Sequence, residues 1–436
     1  MSTTRRRFLR AGAWLFSSSA LIANSMANAK NLSHKNALTR APLTPPEGAD
    51  YTPVVTLNGG SLPWKMDGGV KVFHLIAEEF QREFAPGMVV NCWGYNGQTP
   101  GPTIEAVEGD KVRILVTNKL AEETAVHWHG IFLPNGMDGV SGLTQTGIPP
   151  GETFAYEFTL RQHGTFMYHP HADEMVQMAM GMMGFFIVHP KNSAAHIRGD
   201  QKPVDRDYLI MLHEWAIRPG TARPDPMVMT DFNIFTFNSR VFPGIDSMVA
   251  KTGERVRIRL GNMSMDNHPI HIHGHALKVT GTDGGWVPET AQWPETTVDV
   301  PPGTARVVEF IADAPGDWPF HCHKSHHTMN PMGHDVPNML GVPHDDLAEK
   351  INQQIPGFMA MGETGMSEMN AMAEMNMPLP QNTLPMMMGD GPFGPLEMGG
   401  MFTVIKIRDD IKAHDYRDPG WYKHPEGTVA KKWEGS

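Results

Sequence analysis

Two stretches decide the fold: Pro150–His171, PGETFAYEFTLRQHGTFMYHPH, and Pro302–His323, PGTARVVEFIADAPGDWPFHCH. Each opens on Pro-Gly, runs through an alternating apolar strand and a turn, and closes on His-x-His. Apolar residues at every second position between Gly, Pro, Asn and Asp signals are the mark of half-buried strands. The runs around these two follow the same rhythm, including GDKVRILVTNKL, AVHWHGIFL and GFFIVHP, then RDYLIMLHEW, GERVRIRLGNM and HPIHIHGHALKVTG. Short strands at regular spacing predict an all-β sandwich or barrel. The echo over more than a hundred residues predicts a duplicated domain.

Working outward, the 436 residues suffice for two or three domains. The organisation expected is a leader at 1–29, a linker at 30–50, a first domain at 51–190 and a linker at 191–206. A second domain follows at 207–345, completed by a last strand within 397–412. A Met-rich insertion at 346–396 interrupts it, and a charged tail runs over 413–436.

The leader joins Arg5-Arg6-Arg7-Phe8-Leu9-Arg10 to the apolar run Ala11–Ala23 and then Ala27-Asn28-Ala29. It reads as a removable signal, and its paired arginines resemble a twin-arginine export signal. A general secretory signal is the alternative. The expected destination is the periplasm, with no membrane span in the mature chain. Loss of four arginines and no acid takes the net charge from −11 to −15, which argues against a nucleic-acid partner.

Histidine is the informative residue. Five His-x-His pairs occur, at 127/129, 169/171, 271/273, 273/275 and 321/323, against roughly one expected by chance from 22 histidines in 436 positions. Residues i and i+2 of a strand share a face, so each pair aims two imidazoles at one point. Imidazole suits copper, iron, nickel or zinc. A lone strand histidine is usually a surface or satisfied core residue, but four separate pairs in two matching domains point to a metal cluster. Cys322, one of two cysteines, lies between His321 and His323, with His327 and Met332 downstream and His268 just before His271. A cysteine, two histidines and a weak axial methionine make a blue-copper electron-transfer site. That role removes the disulfide reading, and Cys92 is expected to be a buried free thiol.

HWHG, HPH, HPIHIHGH and HCHKSHHTMNPM, in this order, resemble the four copper-binding motifs of the multicopper oxidases. The resemblance spans about 51–345 plus the last strand, and it is closest to the two-domain, laccase-like subgroup. It implies Greek-key cupredoxin sandwiches and four coppers per active site: one type 1, one type 2 and two type 3. Carried over by motif, His127 and His271 hold the type 2 copper. His129, His169, His171, His273, His321 and His323 hold the type 3 pair, and His268, Cys322, His327 and Met332 hold type 1. Asp138 matches the family's proton-relay acid, its alternative being a turn-forming Asp-Gly. Pro170 departs from the small polar residue many members carry. His326 stands where some relatives have a second relay glutamate. His275 is expected to lie behind the ligands, and His163 and His213 to be structural. The resemblance also implies a ring, usually a homotrimer, with the cluster between subunits, and O2 with a small reductant as partners.

Twelve methionines fall within 359–401, and EMVQMAMGMMG at 174–184 adds more. Thioethers favour Cu(I), while adaptable packing is the competing reading. The 174–184 group suits a packed helix or turn. The 359–401 group, set among Gly and polar residues, favours copper, and hence a cuprous oxidase in copper tolerance. The alternatives are a laccase-like phenol or Mn(II) oxidase, a non-turnover copper-sequestering protein, and a two-domain nitrite reductase.

Overall fold

The computed structural model describes residues 51–191, 204–330, 338–340, 349–350, 353–354, 359–361, 382–385 and 387–435. The leader, the 30–50 lead-in, Met332 and most of the Met-rich insertion lie outside the described residues, as does most of the 191–206 linker. The described chain is almost entirely β, with one six-residue helix, Glu174–Ala179. No described helix is long and apolar enough to cross a membrane.

Four large sheets carry the fold. The first domain stacks a five-stranded sheet, built on the long strand Val70–Ala85, against a four-stranded sheet of Gly101–Val107, Gly184–His189, Gly164–Pro170 and Val126–His129. Between them lie Phe73, Leu75, Ile114, Val116, Trp128, Phe158, Tyr168 and Phe186. The second domain repeats the plan. Its eight-stranded sheet includes Arg206–Trp215, Arg255–Asn262 and Ala305–Ile311; its five-stranded sheet includes His268–Ile272, Gly316–Cys322 and Phe402–Arg408. Phe402–Arg408 pairs with both Met248–Lys251 and Gly316–Cys322, so the chain beyond the insertion returns to the sheet that carries HCH.

The period of two decides what each face does. In Arg206–Trp215, Tyr208, Ile210 and Leu212 enter the second-domain core. Leu209 and Met211 point the other way, into a core shared with Met167, Met183, Phe185 and Ile187 of the first domain. A sheet apolar on both faces must be covered twice, and here the first domain supplies the second cover. Val55–Thr56 strengthens the junction by pairing in parallel with Tyr208 and Leu209.

A charged network closes the same junction. Arg259 grips Asp207 with two 2.8 Å hydrogen bonds and donates a third, 2.7 Å long, to Thr165 of the first domain. Arg257 adds a contact to Asp207 and joins Arg255 on Glu309. Burial alone would raise the Asp207 carboxyl, but Arg259 and Arg257 together hold it below its ordinary value. A depressed carboxyl contributes stability that is full above its unfolded value, about 4, and is lost as the pH falls through the folded value.

Breaking a buried pair from one side strands the remaining charge. Arg259→Ala is therefore expected to cost about 3–5 kcal/mol in denaturant unfolding and to shift the onset of acid unfolding to higher pH; an unchanged midpoint would refute this role for Arg259.

Candidate metal centre

Cys322 ends the strand Gly316–Cys322, and its thiol points into the second-domain core beside Phe320. His268 opens the neighbouring strand, in which Ile270 lies opposite Cys322 and His271 opposite His321. His327 comes from the short 3-10 turn Ser325–Thr328. All three side chains are buried, and their ligand atoms lie within 4.8 Å of one another. His268 Nδ1 is 3.1 Å from His327 Nδ1; Cys322 Sγ is 3.8 Å from the first and 3.6 Å from the second.

Hydrogen bonds fix what these atoms offer. Ser264 Oγ gives its proton to Asn262 Oδ1 at 2.6 Å and so accepts Nε2–H of His268 at 2.7 Å. The His268 Nδ1 lone pair therefore faces inward. His327 stacks on Phe235 at 3.8 Å, and its Nε2 is buried with no partner. Burial pushes His268 down to about 2 and His327 to about 3, each aided by neighbouring cationic groups, and pushes the Cys322 thiol up to about 11. Two neutral imidazoles and a thiol thus converge within hydrogen-bonding distance of one another, with no charged group among them. A metal cation would take all three lone pairs at once, and it removes the thiol proton outright.

Two histidine quartets flank separate strand pairs. In the first domain His127 lies directly opposite His169, and with His129 and His171 their ring centres fall 5.3–6.2 Å apart. In the second, His271 opposes His321, and with His273 and His323 the rings are 4.9–5.8 Å apart. Nδ1–H groups are donated outward: His127 to the Asp138 carbonyl (2.9 Å), His169 to Pro170 (3.0 Å), His271 to Thr296 (2.8 Å) and His321 to Cys322 (2.8 Å). Their Nε2 lone pairs are left for a metal, as second-partner hydrogen bonds usually arrange. His273 Nε2 meets His321 Nε2 at 3.1 Å, and His129 Nδ1 meets His169 Nε2 at 3.3 Å. Burial first, then the neighbouring imidazoles, lowers His129, His273 and His321 and takes His169 to about 3. Among the described residues no hydrogen bond or ring contact joins one quartet to the other. His129 meets the second domain at the Gly303 turn instead.

Asp138 stands beside His127, with a carboxylate oxygen 3.4 Å from Nδ1. His275 sits behind the second quartet, against Phe310 and Trp318. His326 is exposed, 4.5 Å from the His327 ring, and belongs to the Cys322 side. Cys92 is free and buried.

The methionine reading needs correction in the described part of the Met-rich stretch. Met387 and Met401 are buried, while Met388 and Met398 pack against apolar clusters with Leu384, Phe242 and Phe402. These four fill core.

Three groups beside the sites escaped the sequence reading. Ser264 orients His268. The Glu174 carboxylate lies 3.6 Å from His169 Nδ1 and 3.8 Å from His171 Nε2. Glu214 Oε1 accepts the Met265 and Asp266 amides, while its Oε2 is buried without a partner. Burial pushes Glu214 up to about 7, with the Asp266 charge adding to it.

Two family models, each described as multicopper oxidase, match residues 77–193 and 218–339. The chain belongs to the multicopper oxidase family. A "Probable nitrite reductase-hydroxylamine oxidoreductase fusion protein" of Kuenenia stuttgartiensis is 29% identical over 280 residues, covering 61% of this chain and 31% of that protein. Copper resistance protein A of Escherichia coli is 39% identical over 121 residues, covering 28% of this chain and 19% of its own. The chain thus spans under a third of the length of these two curated relatives. A blue copper oxidase of Nitrosomonas europaea superposes with a TM-score of 0.57 at 25% identity, over 80% of this chain and 91% of that one. The fold is therefore that of the cupredoxin-type multicopper oxidases.

Copper fits the donors. Thiolate with two imidazoles suits a blue-copper site, and imidazole clusters suit copper bound to dioxygen chemistry. Ser264→Ala leaves the His268 Nε2–H unpaired and its ring free to turn. Copper retention at the Cys322 site is expected to fall about 10–100-fold, read as copper content and visible absorption after dialysis against a chelator; wild-type retention would refute the orienting role.

Proposed function

We propose that this chain is an exported, copper-dependent oxidase that takes single electrons at the Cys322 site and passes them to a trinuclear cluster reducing O2 to water. The observation that carries this reading is the covalent adjacency of Cys322 to His321 and His323, with the thiol on one face of the strand and an imidazole quartet on the other. Bound copper would supply the one-electron redox steps at Cys322 and the four-electron reduction of O2 at the cluster. The protein's part is to hold the imidazoles neutral, orient the donors and exclude water from the Cys322 site. Four protons are consumed per O2, and Asp138, part-exposed beside His127, is placed to carry them inward from solvent at its carboxylate oxygens. The leader at 1–29 supports export folded, to the periplasm.

The four-copper cluster would form between copies. Each domain presents half of the required imidazoles, and the halves do not meet within the described chain. His127, His129, His169 and His171 of one subunit would face His271, His273, His321 and His323 of the next. Phe132, 62% exposed, and Leu143, 81% exposed, lie near the first quartet as apolar surface for such a contact. A heterologous interface of this kind closes into a ring, and a homotrimer is the form proposed.

The favoured reductant is Cu(I). Beside His327 lies the Asp266 carboxylate, 4.0 Å from Nε2 and 3.4 Å from the Lys324 ammonium. The Met265 and Asp266 amides rest on Glu214, whose Oε2 has no hydrogen-bond partner, and the Met265 side chain is 67% exposed. These two carboxylates and the thioether would make a cation landing near the ring that leads to the thiol, and the thioether selects Cu(I) over Mn(II). Copper resistance protein A among the relatives supports the same reading. Four Cu(I) ions would give up one electron each, becoming Cu(II), for every O2 and four protons converted to two waters.

Oxygen uptake by the copper-loaded protein with Cu(I), a phenol and Mn(II) side by side tests the reading. Cu(I) is expected to be fastest, and Cys322→Ser to abolish blue absorption and turnover together. Glu214→Gln should raise KM for Cu(I) about tenfold while sparing phenol oxidation. Because burial pushes the Glu214 carboxyl up to about 7, capture of Cu(I) should weaken as the pH falls through that value. Fast phenol oxidation with negligible Cu(I) oxidation would replace the reductant; nitrite reduction without oxygen uptake would replace the reaction. Bound copper with no turnover would leave a sequestering protein. Sedimentation at three times the chain mass is expected, and a monomer retaining the cluster would overturn the shared site.

A further inference from the structure

One buried imidazole takes no part in either copper site. His213 lies on the first-domain face of Arg206–Trp215, in step with Leu209 and Met211. Its Nδ1 lies 2.8 Å from the Met263 carbonyl, and its Nε2 is buried with no hydrogen-bond partner. The other backbone group drawn to the ring is the Met178 carbonyl, from the first-domain helix. Both groups are acceptors. A neutral imidazole carries one N–H and one lone pair, so whichever tautomer forms, one ring nitrogen is left against the wrong partner. Protonation would satisfy both carbonyls, but burial pushes His213 down to about 4. A buried unpaired acceptor is costly.

The surroundings are soft. Met167, Met183, Met211 and Met263 are buried in the core shared by the two domains, and Met178 packs against it. Trp215 presents its ring edge-on to His213 at 4.8 Å. No carboxylate belongs to this cluster; Glu214, next in sequence, points to the opposite side of the strand, where it holds the Met265 and Asp266 amides.

We infer that His213 Nε2, with thioethers drawn from Met178, Met211 and Met263, binds one soft monovalent cation between the two domains: Cu(I), for which Ag(I) is the laboratory stand-in. Thioether and imidazole donors without carboxylate select such an ion over Ca²⁺, Mg²⁺ or Mn²⁺. The ion supplies the positive partner that the Nε2 lone pair lacks. Met178 comes from the helix beside the first quartet, and Met263 from the segment leading to Ser264 and His268. A shared ion therefore ties the two domains together at a point that neither quartet nor the Cys322 site occupies. It needs no turnover, and its role is structural.

The test uses the full copper-loaded protein, incubated with Ag(I) and passed through gel filtration, with silver and copper both counted. Wild type is expected to retain one more monovalent ion per chain, silver and copper summed, than His213→Phe. Its thermal midpoint should rise with Ag(I), and that of the variant should not. Methionines elsewhere in the chain bind silver equally in both proteins and cancel in the difference. Should His213→Phe fail to fold, the Met178→Leu/Met263→Leu double variant, which conserves volume, is expected to lose the same equivalent. Glu214→Gln should keep it, which separates this site from the substrate landing beside His327. Equal silver plus copper in wild type, His213→Phe and the double methionine variant would overturn the inference.

Discussion

The two faces of the strand Gly316–Cys322 are the constraint on which the rest depends. Successive side chains must point to opposite sides, so Cys322 enters the core beside Phe320 while His321 emerges on the other surface. No rearrangement of side chains can bring the thiol and the imidazole to the same side without slipping the register, which would turn the whole strand inside out. The register is pinned on both flanks. His268–Ile272 pairs on one side and Phe402–Arg408 on the other, and the Cys322 amide donates to the Met401 carbonyl at 3.1 Å. One strand thereby holds a buried sulfur site and an open imidazole site at a fixed separation of a few bonds.

Duplication explains why the chain has two quartets and one sulfur site. In each domain a pair of antiparallel strands sets one histidine directly opposite another, His127 against His169 and His271 against His321. The position between the paired histidines differs. In the first domain Trp128 fills the core between His127 and His129, and Pro170 separates His169 from His171. Pro170 occupies the place that Cys322 takes in the second domain, and proline offers no ligand atom. It ends its strand, where its missing N–H costs no ladder bond, and its carbonyl still orients His169. The first domain keeps the geometry of a copper half-site while its own core is filled by an indole.

Fold class and the candidate site were legible to the extent that they depend on local period. Alternation along the strands, the repeat, and the His-x-His pairs all live within a few residues, where sequence spacing is spatial spacing. Groups that act from a distance were not legible. Ser264 gains its role from an Asn262 that takes its proton, and Glu214 becomes a buried carboxylate only once Met265 and Asp266 fold over it. Glu174 approaches His169 and His171 because a short helix begins after Asp173 turns into the left-handed region at φ 47°. The methionines mark the opposite error. A Gly-rich, polar neighbourhood in sequence says little about tertiary neighbours: Met388 packs with Leu384, Met398 with Phe242 and Phe402, Met401 enters the second-domain core, and Met387 is buried.

Ring nitrogens facing one another are the recurrent cost of this design. His268 and His327 converge on a thiol in a buried pocket, and His273 meets His321 at 3.1 Å in a part-buried one. Such arrangements persist only if the surroundings over-determine them, and here they do. Phe235 stacks on His327, Ser264 clamps His268, and backbone carbonyls hold the outward nitrogens of His127, His169, His271 and His321. The rings cannot rotate away from the repulsion without breaking a hydrogen bond or a stack. What destabilises the metal-free protein is therefore the same arrangement that spares copper the work of organising its ligands. Selectivity follows from it as well, because a ring set that cannot relax favours an ion content with imidazole and thiolate over one that demands oxygen.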